Sequence, residues 1–241
     1  MRVLLALCAA LLPQAVSASV CRDLTFDGVS VTTCEVSATE DLRLFHSGPN
    51  GALRSFVAVN EALAAEGKTL GFAMNAGMYH DNRAPVGLYR EAGRDLSPLV
   101  TRDGPGNFGL LPNGVFCIGP RFAVVESRAY AAAPPACDDA TQSGPMLVIK
   151  GKLHPRFLPG SDSLYIRNGV GVSADGRRAV FAITNQPVNF HHFARLFRDG
   201  LGLPDALYFD GKISRLYAPA LGRNDIGFAL GPMVGTVVDK E

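Results

Sequence analysis

The N-terminus constrains this chain most. Met1-Arg2 is followed by an almost wholly apolar run from Val3 to Leu12, then Pro13-Gln14 and the small residues Val16-Ser17-Ala18. A charged start, an apolar core of about ten residues and small residues at the cleavage position are the marks of a secretory signal. The core is too short for the roughly twenty residues of a membrane-spanning helix, and no later run reaches that length without a charge, Gly or Pro. The expectation is a signal peptide over residues 1–18 and one domain over residues 19–241. That domain would fold in the periplasm or the medium, with no membrane span once the signal is cleaved.

Export decides what the cysteines can do. Cleavage would take Cys8 from the five present and leave Cys21, Cys34, Cys117 and Cys137. An even set in an oxidising compartment predicts two disulfides, with three possible connectivities. Pairing of sequence neighbours, Cys21 with Cys34 and Cys117 with Cys137, is expected because each closes a loop for which a bridge contributes about 3 kcal/mol. A four-thiolate zinc site is the rival use, and it lacks a Cys-x-x-Cys pair. The Ala/Pro-rich stretch from Ala131 to Ala136 lies between the second pair of cysteines and reads as a tethered surface loop, not as a linker between domains.

Charge narrows the partners. Losing Arg2 leaves 22 Lys plus Arg against 22 Asp plus Glu, without the positive excess that nucleic acid binding needs. Arg177-Arg178 is the only adjacent basic pair, and no nucleic acid partner is expected.

The hydrophobic pattern is strand-rich with two helices. Val29 and Val31 alternate with polar neighbours, Leu42 to Phe45 repeats the period, and Thr69 to Met74 and Met146 to Ile149 are apolar runs of strand length. Asn113-Gly114 and Asp175-Gly176 separate apolar runs as hairpin turns do. Leu53, Phe56, Val57, Asn60, Leu63 and Ala64 fall at helical spacing before Gly67; Asn189 caps a second helix carrying Phe190, Phe193, Ala194, Phe197 and Leu201. This predicts an α+β fold: a single domain of mixed, largely antiparallel sheets with flanking helices.

Several familiar signals fail. Gly104-Pro105-Gly106-Asn107-Phe108-Gly109 has dinucleotide-site spacing, but Pro112 and a turn follow where a helix must begin. His191 and His192 are neighbours on a helix and point to different faces, so they make no two-His metal site. No cofactor and no metal are expected.

Three polar groups stand out because they sit at the ends of apolar or glycine-rich strands. Asn75 closes one, with a plain turn amide as its alternative role. Arg167 precedes Asn168-Gly169-Val170-Gly171 with little local acidity; its planar fork suits an oxyanion, or a structural salt bridge. Asp210 follows Ala206 to Phe209, where a rigid sheet can present a carboxylate, or where an Asp-Gly turn can sit. Gln142-Ser143-Gly144-Pro145 adds a hydroxyl in a tight bend.

In this order the segments resemble the phosphodiester glycosidase family: Met74 to Tyr79, Pro85 to Leu88, Gly106 to Phe108, Pro112 to Phe116, Gln142 to Leu147, Arg167 to Gly171 and Ala206 to Gly211. The similarity spans roughly Asn75 to Val238. It implies hydrolysis of a sugar-1-phosphodiester, or of related polysaccharide-derived material, at the anomeric carbon. Asn75, Arg167 and Asp210 fall on the family's polar motif positions, with Asn107, Ser143 and Ser214 as substrate-binding neighbours. The resemblance implies Arg167 binding phosphate and Asp210 serving as acid/base or nucleophile toward an oxocarbenium-like transition state. Where one type of member carries several glycines and a serine after the aspartate, this chain has Gly211-Lys212-Ile213-Ser214 and looks like a shorter bacterial exported subgroup. Those bulky residues motivate the alternative, a non-catalytic periplasmic carbohydrate- or phosphate-binding protein. A structural part of an envelope assembly is a third reading, resting on the secretory signal and the strand-rich pattern alone.

Overall fold

The computed structural model describes residues 19–48, 51–210 and 213–240. The expected signal peptide and Lys212 lie outside the described residues.

The strand Arg178–Thr184 shows how this sequence makes a core. Its side chains are apolar almost without a break, because the sheet is covered on both faces. Ala179, Phe181 and Ile183 enter a central cluster. Val180 and Ala182 face the other way, toward the helix Phe190–Arg195. The strand Asp205–Tyr208 does the same, with Leu207 and the following Phe209 in the central cluster and Ala206 and Tyr208 on the helix side.

These two strands belong to a seven-stranded sheet. In order across it run Val20–Phe26, Val29–Ser37, Arg178–Thr184, Asn168–Val172, Asp205–Tyr208, Met146–Ile149 and Lys152–Leu153. A five-stranded sheet contains Gly114–Ile118 and Asp139–Ser143, and another is built around Lys68–Asn75 and Met233–Asp239. The paired strands are antiparallel in all three, so no parallel pair mixes into these sheets. Phe72, Phe116, Phe181 and Phe209 join the sheets in the centre, with Phe72 and Phe116 at 5.2 and 5.7 Å from the Phe181 ring.

Both helices form where apolar spacing placed them. Ser55 caps Phe56–Ala64 by accepting from the Ala58 amide, and Phe56, Val59 and Leu63 pack on the third sheet. Leu53 lies before that helix rather than in it. Asn189 caps Phe190–Arg195 through the His192 amide, and a π-type turn over Leu196–Gly200 finishes it. Among the described residues no helix is long and apolar enough to cross a membrane.

One hairpin needs correction. Asp175-Gly176 does lie in the connection between Asn168–Val172 and Arg178–Thr184. Asn113-Gly114, by contrast, does not join two strands: Gly114 begins a strand and Leu110-Leu111 is irregular. Asn113 is buried, its side-chain Nδ2 donating to Phe108 O at 2.9 Å while its backbone carbonyl accepts from the Ser127 amide. Those bonds hold the pair out of the positive-φ turn that the dipeptide suggests.

The disulfides are Cys21–Cys34 and Cys117–Cys137, as expected. The first joins directly opposed residues of a hairpin that backbone bonds already register. The second ties the loop after the helix Ser127–Ala132 to Gly114–Ile118, two residues before the ladder with Asp139–Ser143 begins, and spans 20 residues of sequence against 13 for the first. The paired substitution Cys117→Ser/Cys137→Ser should lower unfolding free energy by about 3 kcal/mol, and the hairpin pair by slightly less because it closes the shorter loop. Chemical denaturation of each double variant checks the order.

Candidate active site

Several strands bring their ends to one place. Asn75 is the last residue of Lys68–Asn75, Ser143 the last of Asp139–Ser143, and Asn168 the first of Asn168–Val172. Asp210 follows Asp205–Tyr208 by two residues. Asn75, Ser143 and Asn168 are buried and Asp210 is half-buried.

Strand alternation makes Asn168 share the face of Val170 and Val172, which belong to the central cluster. There its amide donates to Asn75 O at 3.0 Å and Asn75 Oδ1 at 3.1 Å. The Arg215 backbone amide donates to the same Oδ1 at 2.9 Å. Ser214 Oγ donates to Ile166 O and lies 3.3 Å from Asn168 Oδ1. A buried amide pair leaves no polar atom free to rotate at low cost, so this network fixes the floor of the site.

Asp210 is aimed by the residue before it. The Phe209 amide donates to Asn168 O at 3.1 Å, and Ser143 Oγ donates to Phe209 O at 2.8 Å. Both flanks of Phe209 are thus held immediately before the carboxylate. Two phenols feel its charge. Burial is the larger cause of the raised pKa at Tyr79 and at Tyr208, the latter pushed up to about 12, and the negative charge of Asp210 adds to both.

Gly77 brings the Asn75 loop close to Ser143. A Cβ there would lie 2.5 Å from Gln142 O and from Thr141 Oγ1, so only glycine lets the two segments meet. Asn107 flanks the same place, on a loop packed against Gly144.

Arg167 is consecutive with Asn168 and therefore faces the opposite side of the sheet. Its guanidinium has no exposed surface. Nε donates to Val188 O at 2.8 Å, Nη2 to Ser163 O at 2.8 Å and Nη1 to the Tyr208 hydroxyl at 3.4 Å, and the group stacks 3.6 Å from the centre of the Phe190 ring. Burial pulls its pKa down. These partners are carbonyls, a phenol and a ring, which is neither a carboxylate salt bridge nor a guanidinium open to a phosphate. Tyr208 is its link to the site, bonded to Arg167 and within the field of Asp210.

Asn75, Ser143, Ser214 and Asp210 are therefore brought to one end of the sheets, with Asn107 beside them and Arg167 behind Tyr208. Asn168, Tyr208 and Arg215 were not singled out from sequence. Asn168 could have been, since a strand that exposes Arg167 to one face must offer its neighbour to the other. Arg215 is buried; its guanidinium is bonded to Asp225 O and Phe228 O.

A cleft of about 420 Å³ opens beside Ser214, between Tyr165, Ile213, Arg215, Ile226 and Phe228. A larger hollow of about 850 Å³ lies among the turns at Ala38, Arg121 and Asp175. Strand register puts it at the opposite end of the sheet from Asp210, so size does not mark the chemistry here. No group of three His, Cys, Asp or Glu side chains suited to a metal ion occurs among the described residues.

The sequence profile of the phosphodiester glycosidase family matches residues 68–227, a stretch containing all six candidate residues. The chain belongs to the phosphodiester glycosidase family. The Escherichia coli K12 protein YigE, itself uncharacterized, is 36% identical over 181 residues, covering 74% of this chain and 70% of its own. Among solved structures, the fold is similar to the zebrafish N-acetylglucosamine-1-phosphodiester alpha-N-acetylglucosaminidase catalytic domain, auto-inhibited by its pro-peptide. The TM-score is 0.61 at 15% identity, over 90% of this chain and 81% of that one. A Synechocystis protein gives a TM-score of 0.60 at 14% identity, over 90% of this chain and 61% of the other. At such identities these two likenesses concern fold alone.

Proposed function

We propose that this family member is an exported hydrolase that cleaves a sugar-1-phosphodiester at the anomeric carbon. Water adds to C1, the C1–O bond breaks, and a free sugar and a phosphate monoester leave. Asp210 acts as acid/base or nucleophile against the oxocarbenium-like transition state. Asn107 positions sugar and phosphate oxygens, while Asn75, Ser143 and Ser214 hold the floor of the site and the residue before Asp210 in place through their own hydrogen bonds. Arg167 serves the phosphate from a distance: a cation in a low-dielectric setting behind Tyr208 favours a departing anion without touching it.

The observation that supports this reading is the carboxylate of Asp210, half-buried at a strand end and fixed through Phe209 to Ser143 and to the Asn75–Asn168 network. Two disulfides favour a location outside the cytoplasm.

Incubating the purified protein with a panel of glycosyl-1-phosphodiesters should release sugar and phosphate monoester in equal amounts. Binding without release would support a carbohydrate- or phosphate-binding protein in its place. Failure of both, with folded protein, would rule out both readings.

A further inference from the structure

The most exposed large apolar side chains among those described are Ile226, at 87%, and Phe228, at 80%. They line one cleft, together with Tyr165 at 53%. Scattered surface apolar residues need no explanation, but clustered ones rimming a concave site do.

The loop that carries them is built to hold them there. The buried Arg215 guanidinium is bonded to the carbonyl of Asp225, just before Ile226, and to that of Phe228 itself. Asp225 is fixed in turn by Arg223 and by the Leu216 amide. Gly227 between them has φ +153°, a conformation other residues adopt only with strain. A loop pinned at both ends by a buried cation is a wall and not a loose tip.

The cleft's polar groups are largely spent. Ser214 Oγ donates to Ile166 O, and Arg215 is bonded to its own loop. A hydroxyl-rich sugar in this open space would find few protein partners and gain little over water, whereas a hydrocarbon laid on Ile226 and Phe228 takes apolar surface out of water. Ser214 also bonds to Asn168, so the cleft lies next to the network that floors the site assigned to the phosphodiester.

We propose that this cleft holds a hydrocarbon chain on the alcohol side of the phosphodiester, making the preferred substrates glycosyl phosphodiesters of apolar alcohols. This rests on the hydrolase reading above. Ile226 and Phe228 set alcohol specificity and take no part in bond breaking.

The test compares methyl and octyl diesters of one sugar-1-phosphate, and in parallel the binding of methyl phosphate and octyl phosphate by calorimetry. Wild-type protein should favour the octyl compound by roughly tenfold, in kcat/KM and in Kd. The variant Ile226→Ser/Phe228→Ser should bring both ratios close to one. Turnover with equal methyl and octyl ratios overturns the cleft and leaves the hydrolase standing. Octyl-selective binding that the variant abolishes, with no turnover of either diester, supports the cleft and removes the hydrolase. A concentration-dependent dimer lost in the variant, without octyl selectivity, would assign the patch to a second copy of the chain and overturn the proposal.

Discussion

Asp210→Asn should lower kcat for sugar release by about a thousandfold or more while the protein keeps its fold. The amide is nearly the same shape, so the half-buried position and the bonds around Phe209 are kept. What disappears is the negative charge facing a cationic transition state and the basicity that would activate water. Loss of such a group costs roughly 10²–10⁴ in rate, and more where the carboxylate is the nucleophile. Steady-state kinetics should show KM changed by no more than about threefold, since the loss is confined to the transition state. A second readout does not depend on turnover. The Asp210 charge raises the Tyr79 phenol, so Asn at 210 should shift that tyrosine's titration downward in an ultraviolet pH series. A variant with more than about a tenth of the wild-type rate would remove Asp210 from the chemistry.

Arg167→Met should cost about 4 kcal/mol of stability, a fall of roughly 10 °C in Tm for a domain of this size. Two charge-assisted hydrogen bonds are lost, one to Ser163 O and one to Val188 O, which keeps the Tyr165 amide, at about 1.5–3 kcal/mol each. The stacking on Phe190 also goes, worth up to about 2 kcal/mol when desolvated. Relief from burying the cation offsets part of this. Arg167→Lys should not rescue it, because a point charge with a flexible stem cannot span Val188, Ser163 and Tyr208 at once. Differential scanning calorimetry decides the matter. A Tm within about 2 °C of wild type together with lost activity would make Arg167 a direct phosphate ligand instead of a buried support.

The residues differ in how plainly the sequence announced them. Ala179 to Ile183 and Ala206 to Phe209 read as strands because a sheet covered on both faces leaves no polar position to obscure the run. Asn189 announced its helix because a cap amide followed by apolar residues at helical spacing has few other uses. Asn113-Gly114 misled, since its buried side-chain bond to Phe108 is a tertiary contact that outweighs the local turn preference. Asn75 and Asp210 were legible as polar groups at the ends of apolar strands. The position of Arg167 was not, because alternation fixes only that it opposes Asn168, and which face carries the site depends on how three separate sheets stack. Arg215 had no local signal at all: its importance lies in a loop ten or more residues further along the chain.

The hairpin closing at Asp175-Gly176 stands at the other extremity of the strand that begins with Asn168. Five residues of strand separate the two, about 15 Å. A fluorophore or surface tether grafted onto that turn would anchor the molecule by its blunt end, leaving the mouth around Asp210 turned toward solution for assays on immobilised material.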